Sequence, residues 1–345
     1  MKKIFISPIF IFSLLTIGSY ESLRAADTNS TLVYSLPKTE LVVEIEVEKT
    51  TQKPGQYYQY SERYLATNQA ITENKTTYRL KDINVKWHSI PDTKRSYPVT
   101  VEPKSNMKLL TVNSQGLLCG INVPVQQIPN EDNSQKIITQ NKTSEIQLLP
   151  LGEEYLLAGS NSKLAEGVAK QIYRIRESRV SIITGDLEHF PADGSSLNTM
   201  LDELNQMEKQ LTELFTGKTT IEVIKQSVTI QPDAEMSNRV IFRLSALKGI
   251  IPADDLSGNP IYISITPEKT NLPKTESKAA NTGLNTVLPA TTDILISDGT
   301  TALYSNKILI PQLGPVVTYP LELFNSPSSK VYVDVESGKL LRIEK

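Results

Sequence analysis

The sequence predicts an α+β protein in which two β-rich, sandwich- or barrel-like regions flank a central amphipathic helical hairpin. Short strand-like segments separated by turns occupy the chain up to about residue 150. Two helical patterns follow between residues 160 and 217, and strand-like segments then return until the C-terminus. Short strands at this spacing are typical of a sandwich or barrel, and helices segregated from the strands are typical of the α+β class.

The first 26 residues have the order of a secretory signal peptide. Lys2 and Lys3 precede an apolar run from residue 4 to residue 18, and the segment ends in the small residues Ala25 and Ala26. We predict that residues 1–25 are removed by cleavage after Ala25. The apolar run is too short to span a bilayer, no later segment resembles a transmembrane helix, and no cysteine lies near the cleavage site. We therefore expect an exported protein, in the periplasm or at the cell surface, that is not a lipoprotein.

The remaining chain is long enough for two domains, which we place at residues 26–150 and 151–345. The polar, proline-bounded stretch "QQIPNEDNSQKIITQNKTSE" is the predicted linker between them. The whole chain has 36 basic and 38 acidic residues and a formal net charge of −2. Such a balance lacks the basic footprint of a nucleic-acid-binding protein, so we expect no nucleic-acid partner.

The pentapeptide LPKTE occurs twice, at residues 36–40 and 272–276. After Pro37, apolar residues such as Val43 and Ile45 alternate with glutamates, which predicts a half-buried strand that starts at the proline. The second copy lies in a polar, proline-punctuated stretch that is typical of a long loop. The flanking residues do not repeat, so the repetition is a coincidence.

The helical hairpin is predicted from two apolar stripes. In the first helix the stripe residues recur every three or four positions, and Ser160 or Ser162 supplies the N-cap oxygen. Gly217 is placed where a left-handed C-terminal cap belongs after the second helix. The stripes are Leu164, Val168, Ile172 and Ile175 in the first helix, and Met200, Leu204, Met207, Leu211 and Leu214 in the second.

Cys119 is the only cysteine and stands in the apolar stretch "GLLCGINV". A single cysteine cannot form an internal disulfide or a multi-cysteine metal site. The flanking residues favour a buried strand residue over an exposed nucleophile.

One loop gathers several potentially reactive side chains. The stretch "GDLEHFPADG" contains Asp186, Glu188, His189 and Asp193 between the two predicted helices. These groups could ligate a divalent metal or share acid–base work. Their spacing matches no known ligand motif, and a polar connector that caps the second helix is the favoured interpretation.

Two further clusters have a binding and a structural interpretation. Arg174, Arg176 and Arg179 could bind an anion, but a salt-bridged solvent or interdomain face is favoured because Arg174 and Arg176 point to different sides of the helix. The four tyrosines of "QYYQYSERY" could stack on sugar rings, but burial against neighbouring residues is favoured. They are Tyr57, Tyr58, Tyr60 and Tyr64.

Several stretches together resemble one family of uncharacterised exported proteins from Bacteroides-type bacteria, catalogued as a domain of unknown function. They include "YSLPKTELVVEIEVEKTTQKPGQYYQYSERYL", "YLLAGSNSKLAEGVAKQIYRIRESR", "GDLEHFPADG", "LFTGKTT" and "QLGPVVTYP". The resemblance covers nearly the whole chain after the signal peptide. It implies export from a Gram-negative cell and supplies no reaction, substrate or catalytic residue.

The sequence favours a non-catalytic envelope or surface protein with a binding or structural role, whose partner is an envelope protein or a glycan. The chain has two histidines, and we find no established catalytic, nucleotide-binding or metal motif in it. We therefore assign no catalytic residue, cofactor or metal. The alternative is a secreted hydrolase that acts on a glycan with two carboxylates, because such chemistry needs no histidine.

Overall fold

The computed structural model describes residues 23–24, 30–101, 109–126, 159–186, 194–269, 283–324, 326 and 328–344. These residues form several sheets and two long helices, which confirms the predicted β-rich α+β class. The helices are α1 (Ser61–Leu65), α2 (Asn161–Thr184) and α3 (Gly194–Thr216). None of the helices in the described ranges is both long and apolar enough to cross a bilayer.

The strands are grouped in four sheets within the described residues. The first sheet has the order β3-β2-β6, the second β12-β11-β9-β7-β8, the third β1-β4-β5-β14-β15, and the fourth pairs β10 with β13. Strand β1 belongs to the predicted signal peptide, so cleavage after Ala25 would remove it from the third sheet. The strands are β1 (Leu23–Arg24), β2 (Ser30–Lys53), β3 (Lys75–Val101), β4 (Leu109–Val112), β5 (Leu118–Ile121), β6 (Lys218–Ile230), β7 (Met236–Ser245), β8 (Gly249–Ile251), β9 (Asn259–Pro267), β10 (Gly283–Val287), β11 (Ala290–Ser297), β12 (Ala302–Ile310), β13 (Val316–Pro320), β14 (Lys330–Val333) and β15 (Leu340–Glu344).

A long antiparallel hairpin of β2 and β3 is the central structural element of the described chain. Strand β2 has 24 residues, and at about 3.3 Å per residue it extends for about 80 Å. Two register shifts interrupt the pairing, at Ser35/Leu36 and at Glu46/Val47. At the first shift three residues of β3, 93–95, have no partner in β2, so the hairpin is locally deformed there.

The first β core lies between the β3-β2-β6 sheet and the second sheet. Leu41, Val43 and Ile45 point from β2 into this core, as the alternation in the sequence predicts. They contact apolar residues of the second sheet, among them Ile263 and Ile294. Strand β2 thus contributes side chains to the first β core from residue 41 to residue 47.

The second β core uses the other half of the same hairpin. Tyr34 and Leu36 of β2 and Val99 of β3 pack with residues of the third and fourth sheets, such as Val331 and Leu284. Within this core the Tyr34 hydroxyl donates to the Asn285 carbonyl at 2.9 Å and accepts from the Asn285 amide at 2.7 Å. Burial raises the pKa of Tyr34 well above its ordinary value. The hairpin therefore connects the two β cores.

The predicted strand around the first LPKTE copy differs from the observed one in where it begins. Strand β2 starts at Ser30, so Pro37 lies inside the strand and faces Pro91 of β3. Strand β6 pairs with β2 only from Leu41 onwards, so Pro37 lies where β2 has a single neighbouring strand. A residue without an N–H is tolerated at such a position. The second copy of the pentapeptide lies outside the described residues.

Helices α2 and α3 form the predicted hairpin and, apart from Met200, pack their predicted stripes in a third, helical core. Ser160 caps α2, because its Oγ accepts from the Lys163 amide at 3.3 Å. Gly217 ends α3 in the left-handed conformation with φ +86°. Ile172 and Phe215 are fully buried in the helical core, and Tyr57 from the β2–β3 connection packs on Phe215. The helices therefore lie at the closed end of the β2–β3 hairpin.

The predicted linker lies mostly outside the described residues, and so does the boundary near residue 150. Strands from before and after this boundary pair with each other in two sheets. Strand β6 pairs with β2, and β14 pairs with β5.

Candidate functional site

The predicted cluster between the helices is described only at its first residue. Asp186 follows α2, is exposed, and accepts a hydrogen bond from Thr184 Oγ1 at 2.7 Å. Glu188, His189 and Asp193 lie outside the described residues, so their grouping stays a prediction. Among the residues that the structure does describe, no three His, Cys, Asp or Glu side chains are placed to hold a metal ion.

Cys119 is buried in β5, as predicted. Its Sγ lies 3.7 Å from the Gln126 carbonyl oxygen and 3.8 Å from that of Leu117. Burial raises the pKa of the thiol, which disfavours the thiolate needed for nucleophilic chemistry.

Two of the three arginines of α2, Arg176 and Arg179, form the salt-bridged helix face that was favoured from the sequence. Arg176 Nε lies 2.7 Å from Glu208 Oε1, and an Arg179 guanidinium nitrogen lies 2.6 Å from Glu208 Oε2. Arg179 also donates to Asn205 Oδ1 at 2.8 Å. Because one carboxylate of α3 binds two arginines of α2, these side chains connect the two helices.

Three of the four tyrosines after β2, Tyr57, Tyr60 and Tyr64, pack on the helical core. Tyr60 and Tyr64 have tilted rings whose centroids are 6.1 Å apart, and the Tyr64 hydroxyl donates to the Ser162 carbonyl at 3.2 Å. Tyr173 of α2 donates its hydroxyl to the Tyr64 carbonyl at 2.8 Å. These contacts attach α1 to α2, which supports the packing interpretation.

The glutamates of β2 point to the outer face of the β3-β2-β6 sheet, where each is paired with a basic side chain of a neighbouring strand. Glu46 is bound from both sides, and the hydrogen bonds from Lys225 and Lys81 hold its pKa below the ordinary value. The pairs are Glu40–His88, Glu44–Lys86, Glu46–Lys81, Glu46–Lys225 and Glu48–Arg79. The carboxylate of Glu46 is thus stabilised in the charged form, whereas a general acid needs a raised pKa.

The hairpin is held by polar side chains at the junction where it passes from the first β core to the second. The buried side chain of Gln312 accepts from the Thr39 amide at 2.9 Å and donates to the Thr39 carbonyl at 2.8 Å. Arg95, in the deformed part of β3, donates to the Gln312 carbonyl at 2.8 Å. The register of β6 would place Pro232 opposite Thr39, and proline has no N–H to donate. The Gln312 amide thus replaces a strand residue at the end of β6.

A cleft of about 450 Å³, which we call the junction cleft, is lined by residues at the ends of β9 and β12, at the start of β11 and in the β14–β15 turn. Its apolar part is Leu288, Pro289 and Leu309. Lys269, which follows β9, and Lys339, which precedes β15, also line the cleft. Among the described residues neither ammonium group has an ion-pair partner, whereas Glu268 of the same cleft is bound by Lys307 at 2.6 Å. The lining of the cleft therefore combines apolar side chains with two cations.

The junction cleft was not predicted from the sequence. Its residues come from four separate parts of the chain, and neither lysine belongs to a recognisable motif. A cleft between two cores has the size of many small-ligand sites, which range from about 300 to 1,000 Å³. It is the candidate binding site in the described part of the molecule.

The chain was compared with known proteins. A family described as "Domain of unknown function (DUF4831)" has a model that matches residues 30–341. No curated protein and no solved structure gave a significant match. The family match covers nearly all of the chain after the predicted signal peptide and brings no reaction or ligand with it.

Proposed function

The chain belongs to the DUF4831 family, a family of unknown function, and we propose that it is an exported, non-catalytic protein of a Gram-negative envelope with a binding or structural role. The basic, apolar and small-residue order of residues 1–26 supports export. The partner is a glycan or another envelope protein.

The observation that carries the proposal is the continuous β2–β3 hairpin. It supplies side chains to both β cores, and its connecting segment supplies Tyr57 to the helical core. The Gln312 and Arg95 contacts fix the hairpin where it passes between the β cores. Such a scaffold suits a protein that holds a surface in a constant position, because a hinge between the cores would have to break these contacts.

The state of the carboxyl groups favours this role over hydrolysis of a glycan. In the described residues, each Asp or Glu whose pKa is displaced is displaced downwards, because it accepts hydrogen bonds from cations, hydroxyls or backbone amides. They are Glu46, Glu166, Asp233, Asp255 and Asp298. A glycosidase needs one carboxyl group that stays protonated near neutral pH.

The proposal that the protein is exported is tested by fractionating native cells and sequencing the N-terminus of the protein. We expect an envelope or extracellular protein that begins at Ala26. Intact Met1 in the cytosol would contradict export.

The binding part is tested by incubating the purified protein with a panel of bacterial polysaccharides and measuring both retention and released reducing ends. We expect retention of at least one polysaccharide without release of reducing ends. A double variant, Lys269→Gln with Lys339→Gln, should weaken retention if the junction cleft is the site. The matched control is Lys209→Gln with Lys330→Gln, which removes two exposed lysines elsewhere. Release of reducing ends by the wild type would favour the hydrolase.

A further inference from the structure

Strand β6 is the edge of the β3-β2-β6 sheet and has unusual length and regularity for an edge. Its 13 residues pair with β2 without any register shift, and the strand contains no proline. In the part of the chain that the structure describes, no strand pairs with its second edge. A long, regular and open edge presents main-chain donors and acceptors that can pair with another strand.

The other sheet edges in the described ranges carry the features that normally prevent such pairing. Strand β1 has two residues, β8 has three, and β10, β13 and β15 have five each. Strand β3 is interrupted by two register shifts and contains Pro91 and Pro98, and the pairing of β12 also has a register shift. Short strands, bulges and prolines protect an edge from association. Strand β6 is the exception.

The side chains of β6 add apolar surface to the open edge. Ile221 is 60% exposed and Val223 is 42% exposed, and both lie on the outer face of the sheet. Two of the three charged residues of the strand are engaged inside the chain, because Lys225 binds Glu46 at 2.5 Å and Glu222 binds Lys49 at 3.2 Å. The third, Lys218, is the first residue of the strand. The strand therefore has no free charge near its middle that would repel an incoming strand.

We propose that β6 pairs with β6 of a second copy of the chain, antiparallel about a two-fold axis centred on Ile221. In this register Ile221 faces Ile221 of the second copy, and Thr219 faces Val223 of the second copy on the same outer face. On the inner face Thr220 faces Glu222 of the second copy, and Lys218 lies diagonal to that carboxylate, within reach of a long side chain. Apolar groups thus meet on one face and opposite charges meet on the other.

A second copy is the occupant that these features fit. The register brings Ile221 and Val223 of the two copies close together. Because of the two-fold symmetry, Lys218 of each copy lies beside Glu222 of the other copy. The two three-stranded sheets become one six-stranded sheet, which is a common size. A two-fold contact uses the β6 edge of both copies, so association stops at a dimer.

The first experiment measures the molar mass of the full-length mature protein by light scattering over a range of concentrations. We expect a monomer–dimer equilibrium, and we expect Ile221→Lys to weaken the dimer at least tenfold by placing two cations opposite each other. The matched control is Leu341→Lys, since Leu341 is 58% exposed on another edge strand, β15. A wild type that stays monomeric at its highest soluble concentration would overturn the proposal, and so would a dimer that Ile221→Lys leaves unchanged.

The second experiment tests the register with introduced cysteines, using the buried Cys119 as an internal unreactive thiol. Ile221→Cys should form an interchain disulfide under a mild oxidant, since the residue faces its own copy. Thr219→Cys and Val223→Cys should cross-link efficiently only when the two variants are mixed. Equal cross-linking by each of these two variants alone would overturn the register, and a dimer in which Ile221→Cys fails to cross-link would overturn the β6 pairing.

Discussion

Replacing Gln312 by alanine should destabilise the protein by much more than its single side chain suggests. The Gln312 amide makes two buried hydrogen bonds to the Thr39 backbone, at 2.9 and 2.8 Å. Its removal leaves a buried N–H and a buried C=O of Thr39 without their partner. Each such group costs about 1–3 kcal/mol, so we expect a loss of about 2–6 kcal/mol in the free energy of unfolding. Water that enters the vacated space would bring the loss towards the lower value.

The loss is measured by urea denaturation, as a lower midpoint at an unchanged slope. The matched control is Gln231→Ala, because Gln231 is exposed and donates to Glu40 at 2.7 Å on the protein surface. An exposed substitution of this kind should cost less than about 0.5 kcal/mol. If the two variants unfold at the same urea concentration, Gln312 does not complete the β2 hydrogen bonding and the reasoning is refuted.

Three other predictions follow from local geometry. Gly217→Ala should lower the thermal midpoint more than Gly185→Ala. Both glycines have a left-handed backbone, but only at Gly217 would an added Cβ meet a backbone atom, the Lys53 oxygen at 2.5 Å. Equal shifts of the thermal midpoint would contradict this prediction. Thiol reagents should label Cys119 only after denaturation, and rapid labelling of the native protein would mean that the thiol is accessible. Because the folded-state pKa of Glu46 is depressed, its stabilising contribution is present above the unfolded pKa and lost as pH falls through the folded pKa. Glu46→Gln should therefore reduce the difference in stability between neutral and acid pH, and an unchanged difference would argue against that contribution.

Local patterns in the sequence predicted the elements whose causes are local. The stripe of α2, the cap at Ser160 and the left-handed Gly217 depend on residues within one or two turns, and the structure confirms them. The burial of Cys119 followed in the same way from its apolar neighbours. The salt-bridged face of α2 was predicted, but its partner Glu208 was not, because it comes from another helix.

The contacts that join distant parts of the chain could not be predicted. The pairing of β2 with β6 connects residues such as Leu41 and Ile230, and nothing in either stretch specifies the other. Gln312 has no sequence signal, since its role depends on the end of β6 near Pro232. The start of β2 was misplaced because a proline is usually found at the first residue of a strand. Pro37 instead lies inside β2, where β3 is the only strand paired with it in the described residues. The junction cleft depends on all of these contacts and could therefore not be predicted from the sequence.

The long hairpin also determines the order in which the protein can fold. Strands β2 and β3 are complete once residue 101 has been synthesised, but the apolar face of β2 is covered by strands that end as late as residue 310. Contacts between residues so far apart form slowly, because a long loop must close before they contribute any stability. Val43 and Ile45 therefore stay uncovered while some two hundred further residues are added to the chain. During that interval the nascent hairpin is the part of the chain most exposed to aggregation, and a factor that holds it unfolded would raise the yield of native protein.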